Sequence, residues 1–390
     1  MKGAHLFEID EKHMNPNKLE ITKKLKAKDP KQLNMVLGFD GFVDEIIHVV
    51  DKRQDSEHFT RIETLLALSK RIEKASGLST NIELLPIVKK LGGNGPIMCN
   101  ALSMHEPTIT YIGALGNPNI HEVFIDMEPA AKLYTIAENG HTDALEFMDG
   151  KLMLGKMDSL KDVNYERLIE VVGEKPFVKL LSELDLFAAV NWSMLPKMTE
   201  LWKKVIKFIL PQLPKRNIKP ILFIDLADPE KREHHEIIEI IDLLKQFNHH
   251  FRVILGLNKK EAYDVAGVLN LFESQSLKDM TVSLEDLNQA LYRYAGIFGI
   301  VIHPVDNSCT VIDGKFYQDF GPFCAKPVLT TGAGDNFNSG YVLGLLLGLS
   351  PDEALVVGMA TSGFYVRNAR SPKYNELIQF IERWANNQID

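Results

Sequence analysis

The sequence contains 390 residues, a length that fits one large domain with a small appendage. Its net charge of −8 argues against general nucleic-acid binding, which usually shows as a surplus of basic residues. Three dispersed cysteines, no apolar signal segment and no apolar run of about 18 residues predict a cytoplasmic protein with free thiols that does not span a membrane.

The first half of the chain predicts a mixture of strands and helices after a polar, lysine-rich arm that we place outside the core. Predicted strands cover residues 33–38, 45–50, 81–88, 108–113, 133–137, 144–148 and 152–154, and predicted helices cover 60–75, 94–104 and 123–127. The last three strands are joined too tightly to be neighbours in a purely parallel sheet. This part is therefore expected to be antiparallel, at least locally.

From residue 165 onward, strands and helices alternate. The predicted strands are 184–190, 220–225, 252–257 and 297–303, followed by a hairpin over 309–318 and helices at 335–349, 351–366 and 375–386. Such alternation is typical of parallel βαβ units with helices on both faces of the sheet. The sequence thus predicts an α/β fold with a doubly wound, mostly parallel central sheet and a small β-rich lid.

The segment Thr330-Thr331-Gly332-Ala333-Gly334-Asp335 precedes one of the terminal helices. Its two glycines allow a tight turn, and the free N–H groups at a helix start form an anion site. In the helix, Gly340, Gly344 and Gly348 form one stripe, which predicts close packing against a neighbouring element because glycine destabilises a helix interior. A plain strand-to-helix turn, with Asp335 as a helix-start residue, is the structural alternative.

This segment, followed by the glycine-striped apolar helix, resembles the C-terminal signature of the ribokinase-like (PfkB-type) carbohydrate kinases. The resemblance implies that Gly332, Ala333 and Gly334 stabilise the transferring phosphoryl group. It implies that Asp335 takes the proton from the acceptor hydroxyl. The family usually has Asp at the first position of the string, where this chain has Leu329.

The resemblance extends from about residue 33 to the C-terminus and assigns an acceptor site near the first strand. Asp44, with Asp40 sharing the role, is expected to bind sugar hydroxyls, since carboxylates accept hydrogen bonds from polyhydroxylated ligands. The di-glycine switch of the family corresponds to Gly92 and Gly93, and the remaining expected acceptor contacts are Asn94 and Asn191. An ordinary solvated turn and a loop ending in an Asn N-cap are the structural alternatives.

The nucleotide side follows the family pattern less closely. Asn258 and Glu261 match its NxxE motif, which the family ties to Mg²⁺ and its water shell, although the same spacing makes a helix capping box. The family's T-x-G-x-x-G stretch is replaced by residues 303–308, which contain no glycine. The expected nucleotide contacts are Asn258, Thr331, Asn307 and Gly363, and an unusual phosphoryl donor stays an alternative.

The sequence therefore predicts an ATP-dependent kinase that phosphorylates a hydroxyl of a sugar-like molecule, with Mg²⁺ and a monovalent cation as candidate cofactors. We expect an arm at 1–32 and a kinase domain at 33–390. The lid is expected from segments within 44–52, 80–91 and 131–156, and it could pair two copies into a dimer. A non-catalytic sensor on the same fold is the main alternative. A dinucleotide-dependent oxidoreductase is weaker, because no GxGxxG follows the first strand.

Overall fold

The computed structural model describes residues 17–127 and 129–389, so the first sixteen residues of the expected arm lie outside the described residues. Within these ranges the chain forms fourteen strands. They are β1 (Asn34–Phe39), β2 (Phe42–Arg53), β3 (Phe59–Arg61), β4 (Leu84–Gly92), β5 (Thr108–Gly113), β6 (Lys132–Thr135), β7 (Gly140–Phe147), β8 (Gly150–Lys156), β9 (Leu186–Val190), β10 (Ile221–Asp225), β11 (Arg252–Leu257), β12 (Gly299–Ile302), β13 (Asn307–Ile312) and β14 (Lys315–Phe320).

The α-helices lie between these strands and at both ends of the described chain. They are α1 (Lys18–Lys26), α2 (Leu65–Lys74), α3 (Asn94–Ser103), α4 (Glu122–Ile125), α5 (Tyr165–Val172), α6 (Glu174–Glu183), α7 (Met198–Lys204), α8 (His234–Phe247), α9 (Lys259–Val268), α10 (Ser274–Lys278), α11 (Leu284–Ala295), α12 (Ala333–Leu346), α13 (Pro351–Asn368) and α14 (Tyr374–Ala385). No helix in the described part of the chain is both long and apolar enough to cross a membrane.

The large sheet has the strand order β14-β13-β12-β11-β10-β9-β1-β5-β6 in the described residues. The seven strands from β12 across to β6 in this sheet are parallel to one another. At the other edge, β13 pairs antiparallel with β12 and forms an antiparallel hairpin with β14. Two apolar clusters cover its two faces, one around Phe187 and Trp202 and the other around Tyr111 and Tyr341. The prediction of a doubly wound, mostly parallel α/β fold is confirmed.

A second, small sheet is built from β2, β3, β4, β7 and β8. Strands β7 and β8 form an antiparallel hairpin as expected, but β2 and β7 run parallel. Strand β6 differs from the prediction, because it pairs in parallel with β5 at the edge of the large sheet. The segment from Lys132 to Gly140 thus crosses from one sheet to the other, which sequence spacing alone did not reveal.

The N-terminal helix α1 packs into the core. Ile21 and Leu25 are completely buried, and Lys24 donates to Glu353 at the start of α13 over 2.6 Å. The expectation that this stretch lies outside the core is therefore wrong for α1. One apolar edge is enough to dock it, because two buried side chains fix a short helix against α14.

The glycines of α12 allow it to pack directly against α13. A Cβ atom at Gly340 would lie 2.7 Å from the Val357 carbonyl oxygen, and one at Gly344 would lie 2.9 Å from the Ala354 Cα atom. The predicted close approach is thus present at these two positions. Gly348 lies beyond the end of α12, with a φ of +80°, so it does not belong to the stripe.

We expect Gly340→Ala to destabilise the protein by about 1–3 kcal/mol, because the added methyl group overpacks the α12–α13 contact. Gly267→Ala in α9 is the matched control, since its Cβ atom would meet only Leu277 at an ordinary 3.7 Å. Gly267→Ala should stabilise the protein by about 0.4–1 kcal/mol, because alanine lowers the conformational entropy of the unfolded chain. Urea unfolding of both variants tests the contact, and equal shifts in midpoint would contradict it.

Candidate active site

The parallel strands place their carboxyl ends along one edge of the large sheet, where ligands bind in open α/β folds. Asp40 follows β1, Asn191 follows β9, and Asp225 ends β10. Asn258 follows β11 and His303 follows β12. The helices α3 and α12 begin at this same edge, where the Gly95 amide of α3 donates to Asp40 and Asp335 of α12 accepts from the Asn94 side chain.

Helix α12 begins at Ala333, with Gly332 as its N-cap in a left-handed conformation at φ +89°. A side chain at Gly332 would approach the Tyr365 hydroxyl to 3.0 Å, and this hydroxyl donates to the Thr331 carbonyl over 2.7 Å. The turn is thereby fixed from α13. The Ala333 amide donates to the Thr330 carbonyl over 3.1 Å, and the other amides of the first turn, with the helix dipole behind them, form an anion site at a defined position.

Asp335 lies in the first turn of α12 and is only 8% exposed. Its Oδ1 accepts a hydrogen bond from the Asn94 side chain over 3.0 Å, which joins the starts of α12 and α3. Burial raises the pKa of this carboxyl group well above its usual range, and the nearby Asp225 and Asp40 raise it further. A carboxylate with a raised pKa accepts protons more readily than an exposed one.

Asp40 is completely buried directly beside the start of α3. The Gly95 amide donates to its Oδ1 over 2.9 Å, and the Asn191 side chain donates to its Oδ2 over 2.7 Å. Burial raises its pKa to about 6, although these hydrogen bonds oppose the effect. Gly93 keeps the space next to it open, because a Cβ atom there would lie 2.7 Å from Oδ2.

Asp44 belongs to the small sheet, at the point where β2 leaves the large one. A Cβ atom at Gly92 would overlap its carboxyl group, so only glycine fits on the neighbouring strand β4. Burial raises the pKa of Asp44, while the Thr142 side chain hydrogen-bonds it and Lys90 lowers the pKa electrostatically. The expected acceptor residues Asp40, Asp44, Gly92, Gly93, Asn94 and Asn191 therefore gather where the two sheets meet.

A second group of carboxylates lies beyond β10 and β11. Glu261 is buried in the first turn of α9, where its Oε2 accepts from the Asn258 amide over 2.9 Å and its Oε1 from the Asp228 amide over 3.0 Å. The Asn258 side chain accepts from the Glu261 amide, so both form the capping box that the spacing also allowed. Burial and the mutual repulsion with Glu261 raise the pKa of Asp225 well above its usual range.

Asp225 was not among the predicted site residues, although it ends a buried strand. Its Oδ2 accepts from the Asn338 side chain, one turn along α12 from Asp335, over 2.9 Å. Its Oδ1 accepts from the Ala227 amide over 2.9 Å, and Ala227 and Asp228 both have positive φ values. A carboxylate at the end of a central parallel strand is the sequence signal that could have identified this position.

A cleft of about 360 Å³ opens on the other side of the glycine turn. Ala333 and Gly334 form part of its wall. Of the expected nucleotide contacts, Asn258, Asn307 and Gly363 line the cleft, while Thr331 is next to the lining residue Thr330. The remaining lining is mostly apolar, which suits a planar base, and includes Val305, Pro322, Met359 and Val366.

His303 is a further cleft residue that the sequence did not single out. Its ring packs against Phe337 of α12 with centroids 4.9 Å apart, and its Cε1 lies 3.2 Å from where a Gly334 Cβ atom would be. Burial lowers its pKa to about 4, so the ring is neutral at physiological pH. His303 thus supports the glycine turn from the end of β12. It belongs to the stretch 303–308, which lacks the glycines that the family has at this position.

The residues thus form two adjoining regions separated by the start of α12. Asp40, Asp44, Asn94 and Asn191 lie on one side of Asp335, and the cleft with Asn258, Asn307 and Gly363 lies on the other. Such an arrangement suits a proton acceptor between two bound molecules, with an anion site at the boundary.

The family model that matches this chain is described as prokaryotic ketohexokinase and covers residues 12–384. A ketohexokinase of Haloferax volcanii is 28% identical over 350 residues, which cover 89% of this chain and 90% of that protein.

Solved structures with the same fold include two ribokinases. The ribokinase of Arabidopsis thaliana, solved with ribose and ATP, has a TM-score of 0.62 at 13% identity, covering 90% of this chain and 99% of that one. The ribokinase of Thermotoga maritima has a TM-score of 0.59 at 16% identity, again covering 90% and 99%.

Proposed function

Because the chain belongs to the prokaryotic ketohexokinase family, we propose that it transfers the terminal phosphoryl group of ATP to a hydroxyl of a ketohexose. The ribokinase-like resemblance of the sequence is confirmed by this membership, and the chain is a kinase. Membership also removes the sensor and oxidoreductase alternatives. The acceptor, the donor and the residue roles below are our proposal.

The single observation that carries the proposal is the position of Asp335. Its carboxylate is buried between the acceptor-side group and the cleft, and a base is needed at that boundary. We assign to Asp335 the role of general base, which takes the proton of the acceptor hydroxyl, while the Asn94 side-chain amide holds Oδ1 in place. The remaining oxygen, Oδ2, then faces the hydroxyl as it attacks the phosphorus atom.

The acceptor is held by the carboxylates where the sheets meet. Asp40 and Asp44 accept hydrogen bonds from sugar hydroxyls, and Asn191 keeps Asp40 oriented through its 2.7 Å hydrogen bond. Gly92 and Gly93 leave the carboxyl groups of Asp44 and Asp40 unobstructed, because a Cβ atom at either position would overlap them. A neutral polyol suits this site, since carboxylates repel an acceptor that already carries a phosphate.

The donor occupies the cleft with its phosphates toward the glycine turn. The apolar lining suits the base, Asn307 and Gly363 lie along the cleft, and the amides of Gly332–Gly334 face the transferring group. Phosphoryl transfer depends mainly on positioning and on stabilising charge, and a fixed helix N-terminus supplies both. Thr331 supports this turn by accepting from Tyr365 through its carbonyl group.

The carboxylates near the phosphate end of the cleft fit a magnesium ion bound through water. Both Glu261 oxygens already accept backbone amides, which leaves them suited to orienting water rather than to direct coordination. Burial raises the pKa values of Asp225 and Glu261, repulsion from Glu261 raises that of Asp225 further, and repulsion from Asp228 and Asp264 raises that of Glu261. A divalent cation would relieve this accumulation of negative charge. When bound, the ion would neutralise phosphate charge, and these residues would hold its water shell.

We further propose that the small sheet closes over the acceptor and excludes water, which would suppress ATP hydrolysis.

The small sheet also carries four apolar side chains that are each between 44% and 50% exposed, namely Ile87, Val88, Met153 and Leu154. We propose that two copies of the chain pair through this surface. Light scattering should then return about twice the chain mass of 44.0 kDa. A mass of one chain at micromolar concentration would contradict the dimer.

A further inference from the structure

Three side chains with metal-binding chemistry lie on the small sheet, outside the proposed active site. Glu45 is on β2, and His141 and Asp143 are on β7, with Glu45 and Asp143 directly opposite each other. Side chains alternate between the faces of a strand. These three residues therefore point away from the face that carries Asp44 and Thr142.

The ligand atoms of this triad are already close together. His141 Nε2 lies 2.7 Å from an Asp143 oxygen and 3.6 Å from a Glu45 oxygen, and the three atoms all lie within 4.8 Å of one another. Both carboxylates are only 13% exposed, and the imidazole is 28% exposed. One imidazole and two carboxylates is a donor set that suits zinc and its neighbours among the divalent transition metals.

Two lysines currently balance the charge of the triad. Lys156 lies 2.7 Å from Asp143, and Lys89 lies 3.5 Å from Glu45, but the two lysine side chains are 66% and 51% exposed. Exposed ion pairs of this kind contribute little stability, typically 0–1 kcal/mol. Two carboxylates facing each other across neighbouring strands repel, and a single divalent ion would neutralise both at once.

We propose that Glu45, His141 and Asp143 form a binding site for a divalent transition-metal ion of the zinc class, in which the ion displaces the two lysine ammonium groups. The ion would join β2 to β7 beside the junction of the two sheets. Those strands present Asp44 and Thr142 on their opposite face, so the site lies one residue away from the proposed acceptor contacts. The binding site itself does not depend on the proposed reaction.

The test is calorimetric titration of the full-length protein with Zn²⁺, in excess Mg²⁺ to occupy sites that contain only oxygen ligands. The wild-type protein should bind one equivalent of Zn²⁺. His141→Asn should weaken the affinity for that equivalent by about 10–100-fold or more. His48→Asn is the matched control, because His48 is also on β2 but has one carboxylate, Glu146, 4.0 Å away. That variant should bind as the wild type does.

A gain-of-affinity variant separates a metal site from an ordinary ion-pair network. Lys156→Met removes the competing ammonium group and should tighten the His141-dependent equivalent several-fold, with a visible absorption band when Co²⁺ replaces Zn²⁺. An isotherm unchanged in His141→Asn, or affinity unchanged or weakened in Lys156→Met, would overturn the proposal. Kinase activity of the wild type is not needed for either result, so failure here leaves the proposed function untouched.

Discussion

Replacing Asp335 with asparagine should lower kcat for ketohexose phosphorylation by about 10²–10⁴-fold, the usual contribution of a general base. Asparagine keeps the shape of the side chain and its contact with Asn94, but it cannot take the proton. We therefore expect KM values for both substrates to change little. Steady-state kinetics with varied sugar and varied ATP measure the split, and calorimetry with ATP checks that the variant still binds nucleotide.

The same carboxylate should shape the dependence of activity on pH. Burial and neighbouring carboxylates raise the pKa of Asp335, and that of Asp40 is raised to about 6. Both groups act in ionised form, so kcat/KM for the sugar should be full above both pKa values. It should fall as the pH drops through the raised pKa of Asp335 and through that of Asp40 at about 6. In Asp335→Asn the residual activity should lose one of the two ionisations. A variant within tenfold of wild type, with an unchanged profile, would contradict the assigned role.

Asp40→Asn should lower kcat/KM for the sugar by about 10–10²-fold, mainly through a higher sugar KM. A hydrogen bond to a charged group contributes roughly 1.5–3 kcal/mol, and the Asn191 amide would now face a neutral group. The KM for ATP should stay within about twofold, because the cleft lies on the other side of Asp335.

Asp185→Asn is the matched control for this prediction. Asp185 accepts from the Asn34 amide over 2.9 Å at the opposite end of the sheet, so its loss should affect stability without changing the sugar KM. If Asp40→Asn raised the ATP KM as strongly as the sugar KM, or left both unchanged, the acceptor site would have to be placed elsewhere.

The fold class can be predicted from the sequence because the patterns that indicate its strands and helices are local and recur along the chain. Strands such as β5 and β11 are short apolar runs bounded by polar residues, and the helices between later strands have a clear period. Strand β6 was misplaced because pairing partners are set by long-range contacts that spacing does not encode. The burial of α1 was missed for a related reason, since the partner of its apolar edge, α14, is more than 300 residues away in sequence.

The site residues that the sequence predicts are those at positions where few other residue types would fit. Gly332, Gly334 and Asp335 could be named from their string, and the turn at Gly332 does require a positive φ. Asn258 and Glu261 show the limit of this reasoning, because the same spacing serves a capping box that the structure contains. Asp225 and His303 were not predicted, since their importance comes from neighbours on other strands and helices.

The most direct test of the account is the formation of a sugar phosphate by the purified full-length chain. Ketohexoses, aldoses and nucleosides should each be incubated with ATP and Mg²⁺, and the products identified by phosphorus NMR. We predict a phosphate ester from a ketohexose that forms in the wild type and is almost absent with Asp335→Asn. The account would be contradicted by a wild type that phosphorylates no ketohexose, or by an Asp335→Asn variant that forms the ester at the wild-type rate.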